Sequence, residues 1–284
     1  MRLVVRMSEK STWILVTGSS SGIGRKTAEL LAEKGFCVYA GARKQQDIDE
    51  LNRIPNITGV HLELTSDDDI QALLPKFEKT GLYGIVNNAG IALGAPLMDL
   101  NLEDLKKQFD VNLFGIHRVT KAVFPYILKQ KGRIVMISSN AGTFAAPFFG
   151  PYSSSKYALE GYSDSLRREL LLHNVKVVLI KPGRIRTPIW EKGEELLLLY
   201  TDSIFMKEAQ AVANSAIQSG KEDSLLPIKV AELVLKAFTV NNPKPRYVIA
   251  PNPFGIWIRE HLPDRIIDKV VKKKLLNGLT SKSK

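Results

Sequence analysis

The sequence is poor in cysteine and has no long hydrophobic run. Its 284 residues include a single cysteine, Cys37. One cysteine cannot form an intramolecular disulfide, which excludes the disulfide-stapled secreted class and favours a reducing compartment. No apolar run approaches the ~18 residues that a membrane-spanning helix needs, and the segment from Met1 to Arg6 lacks the apolar region of a secretion signal. We therefore expect a soluble cytoplasmic protein.

The positive charge is concentrated near the end of the chain. The formal net charge is +11, of which residues 243–284 carry +7. Such a basic segment is either a solvated helix or a surface that touches an anionic membrane. Nucleic acid is not an expected partner, because neither a groove-reading helix pair nor a base-stacking motif accompanies the charge.

Short apolar runs, typical of buried strands, recur along the chain. Because they are almost continuously apolar rather than alternating, they predict a parallel sheet that is covered on both faces. The predicted strands are Trp13–Val16, Cys37–Ala40, Val60–Leu64, Gly84–Val86, Arg133–Ile137, Lys176–Ile180 and Arg246–Ala250.

Helix-length stretches separate these strands. They include Ile23–Lys34, Leu102–Lys129, Tyr152–Leu172 and Ile228–Val240. The alternation predicts a doubly wound α/β domain of the Rossmann type, with ligands at the carboxyl ends of the strands.

We expect one catalytic domain over residues 1–251, followed by a basic amphipathic extension over residues 252–284. Within the domain, Pro188–Leu226 follows a strand and is either a lid over a substrate pocket or an aliphatic helix packed on the core or on a neighbouring subunit.

A glycine-rich turn follows the first predicted strand. It reads Thr17-Gly18-Ser19-Ser20-Ser21-Gly22-Ile23-Gly24. Glycines let the backbone approach a pyrophosphate, and the following helix presents unpaired N–H groups to it. The same letters also fit the Gly-x-Ser-x-Gly elbow of serine hydrolases, with Ser20 as nucleophile, although none of the four histidines lies in a recognisable catalytic context.

The end of the second strand carries cations. In dinucleotide-binding folds an acidic residue here binds the ribose 2′-hydroxyl, whereas this chain has Arg43 and Lys44. An arginine at this point can pair with a 2′-phosphate. The position therefore favours NADP(H) over NAD(H).

A tyrosine and a lysine lie one helical turn apart. Lys156 follows Tyr152 by four residues, so the two share one helix face. A nearby ammonium stabilises phenolate and lowers the tyrosine pKa toward a range useful for proton transfer. Ser139 follows an apolar strand and places a hydroxyl at the same edge of the sheet.

Together these residues resemble the short-chain dehydrogenase/reductase family. Thr17–Gly24 is similar to its Thr-Gly-x-x-x-Gly-x-Gly motif, Asn87–Gly90 to its Asn-Asn-Ala-Gly, and Tyr152 with Lys156 to its Tyr-x-x-x-Lys. Asn112, Ser139 and the turn Pro182–Thr187 also match in order. The ending, Pro245–Ile249 and Leu262–Arg265, resembles the hydroxysteroid and retinol dehydrogenase members.

The resemblance implies reversible hydride transfer between NADP(H) and a carbonyl or an alcohol, with no metal ion. It implies that Tyr152 is the acid and base, that Ser139 binds the substrate oxygen, that Lys156 binds the nicotinamide ribose and lowers the pKa of Tyr152, and that Asn112 holds a relay water. The implied cofactor-binding residues are Gly18, Ser20, Ser21, Gly22, Ile23, Gly24, Arg43, Glu63, Leu64, Asn88, Ala89, Gly90, Tyr152, Lys156, Pro182, Gly183, Ile185 and Thr187.

One position departs from the family pattern. Glu63 stands where the family usually has an aspartate beside the adenine, which leaves a backbone contact from Leu64 in its place.

The substrate side is apolar. Leu93, Phe144, Phe148 and Phe149 would edge the pocket and favour a lipophilic ketone, aldehyde or alcohol, or they belong to the core or to a dimer interface. We also expect a homodimer or homotetramer. The alternative is a non-catalytic NADP(H)-binding regulator on the same fold, against which the full set of catalytic residues argues.

Overall fold

The computed structural model describes residues 12–188 and 202–280. Parallel strands form one seven-stranded sheet in the order β3-β2-β1-β4-β5-β6-β7. The strands are β1 (Trp13–Val16), β2 (Cys37–Ala42), β3 (Ile57–His61), β4 (Gly84–Asn87), β5 (Arg133–Ile137), β6 (Lys176–Pro182) and β7 (Arg246–Ile249). The order reverses between β1 and β4, which is where this class of fold opens a crevice for a ligand.

Helices cover both faces of the sheet; they connect successive strands, and the last two follow β7. They are α1 (Gly22–Glu33), α2 (Gln45–Asn52), α3 (Asp67–Thr80), α4 (Leu102–Phe109), α5 (Ile116–Lys129), α6 (Gly150–Glu169), α7 (Met206–Glu222), α8 (Pro227–Thr239), α9 (Pro253–His261) and α10 (Asp264–Thr280). This architecture confirms the predicted doubly wound, single-domain α/β fold.

Two apolar clusters, one on each face of the sheet, form the core. Side chains from one strand alternate between them: Ile14 and Val16 of β1 enter the cluster that α1 and α8 cover, and Leu15 enters the one that α3 and α5 cover. All three side chains are fully buried. This two-sided burial explains why the strands are almost continuously apolar.

The predicted third strand, Val60–Leu64, is shifted from the observed one. β3 runs over Ile57–His61, and its last pair joins His61 to Ala42, where β2 ends. Leu62 and Leu64 are nevertheless buried. Their apolar character reflects packing against the core, although the Leu62 N–H still donates to the carbonyl of Ala42, at the end of β2, at 3.0 Å.

The stretch predicted as the helix Leu102–Lys129 is helical throughout but not uniform. Residues 110–115 form a π-helical segment between α4 and α5. The backbone of this segment passes very close to the segment that follows β3, since a Cβ on Gly115 would lie 2.7 Å from the Cβ of Leu64. Such segments often occur at functional sites, and this one contains Asn112.

The C-terminal region is also helical. Within the predicted C-terminal extension, the stretch after Pro263 forms α10, which packs on α7. In the described ranges, no helix has the length and apolar character of a membrane span. Of the predicted lid, residues 189–201 lie outside the described residues, as do the tail residues beyond 280.

Candidate active site

The glycine-rich turn after β1 is held against the end of β4. Thr17 Oγ1 accepts hydrogen bonds from the backbone N–H groups of Asn88 and Ala89, both at 3.0 Å. The Asn88 amide donates to the carbonyls of Thr17 and Gly18 at 2.9 and 3.1 Å. Asn88 therefore shapes the turn with its side chain, an arrangement that the motif alone did not specify.

The turn has no room for side chains at its glycines. Gly18 has a φ of +66°, and a Cβ there would lie 2.8 Å from the Cα of Ala89. A Cβ on Gly24 would meet the Gly18 carbonyl oxygen at 2.1 Å. Ser20 and Ser21 are exposed, Ile23 is partly buried, and the N-terminus of α1 follows at Gly22. This cradle fits a pyrophosphate group.

A buried polar network fixes the loop that follows Gly90. Asn112 Nδ2 donates to the Ile91 carbonyl at 2.9 Å and to Ser155 Oγ at 3.1 Å, while its Oδ1 accepts from the Ile91 N–H at 2.9 Å. Gln108, one turn earlier, donates to the same carbonyl at 2.9 Å and accepts from the Leu93 N–H at 2.8 Å.

Gln108 and Ser155 are not among the residues predicted from the sequence. Gln108 lies four residues before Asn112, and this spacing, which places two side chains on one helix face, is the pattern that could have pointed to it. The amide of Asn112 is engaged by the protein, so its role as a water anchor remains a prediction.

Ser139 and Tyr152 meet at the carboxyl end of β5. Ser139 caps a short 3-10 turn over residues 140–142, and its Oγ accepts from the Ala141 N–H at 3.1 Å. Burial raises the pKa of the Tyr152 phenol, and the side-chain hydrogen bond with Ser139 partly lowers it. Tyr152 thus holds its proton at neutral pH.

Lys156 is a buried cation one turn along α6 from Tyr152. Its Nζ donates to the Ile137 carbonyl at 2.9 Å and lies 5.8 Å from the Tyr152 ring centroid. Burial lowers the pKa of Lys156 to about 8, although the nearby Glu160 carboxylate raises it.

The lowering of the Tyr152 pKa by Lys156 stays a prediction. Burial of the phenol dominates, and the ammonium is directed to Ile137.

The predicted cation at the end of β2 faces a carboxylate. Arg43 Nη1 lies 3.1 Å from Glu63 Oε2, and the Arg43 side chain is 64% exposed. Both residues line a cavity of about 530 Å³. Its other lining residues are Thr65, Glu103, Lys106, Lys107, Asp110, Val111 and Phe114. Leu64, by contrast, buries its side chain in the core.

The loop after β6 closes over the glycine turn. Gly183 donates its N–H to the Ile249 carbonyl at 2.7 Å, and a Cβ on Gly183 would lie 2.7 Å from Asn140 Nδ2. Pro182 and Ile185 are buried. Thr187 faces the turn, since its Cγ2 lies 3.1 Å from the position of a Cβ on Gly22. The predicted cofactor residues of this loop are therefore brought to the same crevice.

Aromatic side chains gather on the other side of Ser139. The Phe148 ring lies 6.5 Å from the Phe205 ring, and the Arg259 guanidinium stacks 4.0 Å above the Phe144 ring centroid. Leu93 and Phe149 are partly buried, and the Ala95 N–H donates to the Phe148 carbonyl at 2.8 Å, which brings the segment of Leu93 to this loop. Within the described residues, no cluster of His, Cys, Asp and Glu side chains could hold a metal ion.

Comparison with known proteins identifies this arrangement. Residues 12–196 match the short chain dehydrogenase family. The chain belongs to the short-chain dehydrogenase/reductase family. It is therefore an NAD(P)-dependent dehydrogenase or reductase, and the serine hydrolase alternative at Ser20 is wrong. Two of the four histidines are engaged elsewhere, His61 with Asp69 and His117 with Tyr162.

Members of the family that are named for different reactions are similar to this chain. The NADPH-dependent 3-dehydrocapnine reductase of Ornithobacterium rhinotracheale is 35% identical over 93% of this chain and 97% of its own length. Retinol dehydrogenase 5 of Mus musculus is 30% identical over 91% of this chain and 87% of its own. These similarities do not single out a subgroup, so the hydroxysteroid and retinol dehydrogenase assignment stays a prediction.

The fold of this short-chain dehydrogenase/reductase also matches solved structures. A short chain dehydrogenase/reductase from Burkholderia phymatum in complex with NAD superposes with a TM-score of 0.77. It is 23% identical, over 91% of this chain and 95% of its own length. That likeness confirms the fold.

Proposed function

We propose that this enzyme reduces a lipophilic ketone or aldehyde with NADPH and, in reverse, oxidises the corresponding alcohol with NADP⁺. The observation that carries the proposal is the hydrogen-bonded pair of Ser139 and Tyr152 at the end of β5, with Lys156 buried beneath it. The glycine turn that fits a pyrophosphate lies at the carboxyl end of β1 in the same sheet.

The side chains divide the chemistry between them. Tyr152 donates its proton to the carbonyl oxygen, and Ser139 hydrogen-bonds that oxygen as negative charge develops. The nicotinamide, when bound, supplies the hydride. Lys156 binds the ribose hydroxyls and stabilises the phenolate that remains. Because burial raises the pKa of Tyr152, the free enzyme is in the protonated state that reduction requires.

NADP(H) is the proposed cofactor because Arg43 lies at the end of β2, where a 2′-phosphate binds. The Ornithobacterium relative is also named as NADPH-dependent. Glu63 competes for the same guanidinium at 3.1 Å. A bound 2′-phosphate would therefore share the Arg43 N–H groups with this carboxylate or displace it.

A lipophilic substrate is proposed from the aromatic side chains beside Ser139. Phe144 and Phe148 follow it in one loop, and Phe205 faces Phe148 from the segment before α7. The residues 188–226 are the proposed roof of this pocket. The relatives include a 3-dehydrocapnine reductase and a retinol dehydrogenase. Their names support the carbonyl and alcohol chemistry.

The C-terminal helices carry a proposed membrane contact. Phe254 and Trp257 of α9 are 68% and 55% exposed, and their rings stack. Lys272, Lys273 and Lys274 follow on α10. Aromatic side chains beside a basic segment suit the surface of an anionic bilayer.

The proposed assembly is a homodimer or homotetramer through α4, α5 and α6. Leu102 of α4 and Phe114, between α4 and α5, are exposed there.

A screen of NADPH oxidation tests the proposed reaction. The panel contains retinal, 2-dodecanone, steroid ketones, quinones and small polar sugars, each with NADPH and with NADH. We expect turnover of lipophilic carbonyls and a loss of at least about 100-fold in Tyr152→Phe, because the general acid is removed. Tyr152→Phe should still bind NADPH, measured by the change in nicotinamide fluorescence.

Two results would contradict the proposal. A preference for the polar sugars would remove the lipophilic substrate, and near-normal turnover by Tyr152→Phe would remove the role of the phenol. Tight NADPH binding without turnover of any carbonyl would favour the regulator instead.

A further inference from the structure

The C-terminal helix α9 contacts the loop that carries Ser139. We define the catalytic loop as residues 139–149. Thr143 of this loop donates its hydroxyl to Glu260 Oε1 at 2.5 Å. The same residue closes the turn after Ser139, because its N–H donates to the Asn140 carbonyl at 3.2 Å. Glu260 therefore holds the residue that ends the Ser139 turn.

The same carboxylate oxygen neutralises a buried cation. Lys181, near the end of β6, is 3% exposed, and its Nζ lies 3.1 Å from Glu260 Oε1. A buried ammonium without a counter-ion is strongly destabilising. Burial acts against ionisation of Glu260, but the hydrogen bonds from Thr143 and Lys181 hold the pKa of its carboxyl below the usual value. The Glu260 carboxyl is therefore ionised at neutral pH.

Lys181 directly precedes the cofactor-binding loop. Pro182 and Gly183 follow it, and Gly183 lies against the Asn140 side chain of the catalytic loop. One oxygen of Glu260 thus joins two segments that must be mutually aligned: the turn that presents Ser139 and the turn that closes over the cofactor.

Other residues of α9 also face the interior of the protein. Ile256 is buried, and Arg259 stacks on Phe144 of the catalytic loop. Phe254 and Trp257 lie on the opposite side and are exposed. The helix therefore has an inner side that faces the active site, although it lies about sixty residues beyond the family match that ends at residue 196.

We propose that Glu260 is a positioning residue of this enzyme, which aligns Ser139 with the cofactor-binding turn by binding Thr143 and Lys181 together. Glu260 does not touch the reacting atoms. It acts through the catalytic loop, so its loss should loosen that loop and slow the chemical step. The inference rests on the proposed reaction only for its kinetic readout.

Hydrogen–deuterium exchange gives a readout that does not require turnover. The N–H groups of Gly142, Thr143 and Phe144 donate to Ser139 and Asn140 carbonyls, so their exchange reports the turn. In Glu260→Ala we expect exchange of peptides over residues 139–149 to rise by at least about fivefold, because the turn loses its anchor. Exchange over α1 and β1 should stay as in the wild type.

The kinetic arm uses NADPH with retinal and with 2-dodecanone. We expect kcat of Glu260→Ala to fall by about 10- to 100-fold, since small misplacements of a positioned group have effects of this size. The KM for NADPH should change less than kcat. Glu260→Gln keeps the bond to Thr143 but leaves Lys181 uncompensated, and adding Lys181→Met to Glu260→Gln should recover part of the lost rate.

Glu232→Gln is the matched control, because Glu232 forms an exposed ion pair with Lys229 on α8. It should leave both exchange and kcat unchanged.

The outcomes separate the positioning role from a structural one. Local loosening of residues 139–149 with a fall in kcat supports it, and so does recovery in the double variant. Unchanged exchange in Glu260→Ala overturns it, and so does a uniform rise of exchange throughout the chain. A wild-type enzyme that oxidises NADPH with neither carbonyl speaks against the proposed substrates, while the exchange measurement still decides the role of Glu260.

Discussion

At the scale of single residues, the protein buries the ammonium group of Lys156 next to the Tyr152 phenol. Lys156 is 4% exposed, and burial lowers its pKa to about 8. Glu160, one turn further along α6, opposes this shift and is itself held by Arg246 Nη2 at 3.0 Å. The cation beside Tyr152 is therefore maintained at a cost in folding free energy.

Replacing Lys156 should lower the activity of the enzyme and raise the stability of its fold. The lysine loses its proton near pH 8 in the fold but near pH 10.5 in the unfolded chain, so the free energy of unfolding rises with pH between these values. Below pH 8 the fold bears the full penalty of the buried charge. Lys156→Met should therefore raise Tm at pH 7 by about 2–4 °C and lower kcat at least about 100-fold.

Thermal melts at pH 7 and pH 10 check the stability change, which should shrink at the higher pH. In the wild type, kcat for reduction should decline as pH rises through about 8, where Lys156 loses its charge. A lower Tm for Lys156→Met at both pH values would contradict the assigned penalty.

Arg43 and Glu63 should set the cofactor preference between them. Glu63→Gln releases the guanidinium, so we expect NADPH to bind about threefold to tenfold more tightly, in line with a charge-assisted hydrogen bond. Arg43→Asp should weaken NADPH and leave NADH nearly unchanged. Fluorescence titration with both cofactors measures the ratio. An unaltered ratio in both variants would show that neither side chain contacts the 2′-phosphate.

Local spacing explains which site residues the sequence predicts. The glycine turn, Ser139, Tyr152 and Lys156 each belong to a short motif. Gln108 and Ser155 act through contacts between distant helices, and Glu260 reaches Thr143 across 117 positions of the chain. Such long-range pairs leave no periodic trace in a single sequence.

At the scale of elements, burial is easier to predict than pairing. The apolar runs locate the strands of the sheet, yet β3 is shifted because Leu62 and Leu64, although buried, lie beyond its last residue pair, His61 with Ala42. The π segment around Asn112 depends on the approach of Gly115 to Leu64, which no pattern of residues 110–115 indicates.

The helix α9 shows how local signals can be overlooked. It lies in a segment whose prolines suggest a break, but Pro253 occupies the first turn, where proline is tolerated. Asn252 caps the helix by accepting a hydrogen bond from the Gly255 N–H at 2.8 Å. These residues form a helix start rather than a linker.

At the scale of the whole molecule, charge and apolar exposure coincide in one region. The +7 of residues 243–284 lies on the segment that also exposes Phe254, Trp257 and Ile266. The remainder of the chain is nearly balanced in charge. This segregation distinguishes the proposed membrane face from the catalytic crevice.

Reversing the charge of the basic segment should detach the protein from anionic vesicles. Changing Lys272, Lys273 and Lys274 together to Glu should reduce partition onto phosphatidylserine-containing vesicles at least about 10-fold, because each cation near such a surface contributes about 1 kcal/mol. Co-sedimentation with the vesicles measures the partition.

The control changes Lys26, Lys34 and Lys106 to Glu, since these lysines are exposed in α1, just after it and in α4. This control should retain most of the binding, and vesicles of phosphatidylcholine alone should bind both variants weakly. Equal partition of the wild type and the Lys272 to Lys274 variant would leave only the packing of α10 on α7 as the role of this helix.

The ion pair between Lys181 and Glu260 also bears on the order of events during synthesis. Lys181 is synthesised 79 positions before its counter-ion, Glu260. The growing chain can pair β1 to β6 while this lysine still lacks a carboxylate. We therefore expect the sheet and the nucleotide crevice to assemble first, and the loop that carries Ser139 to reach its final position only when the last part of the chain leaves the ribosome.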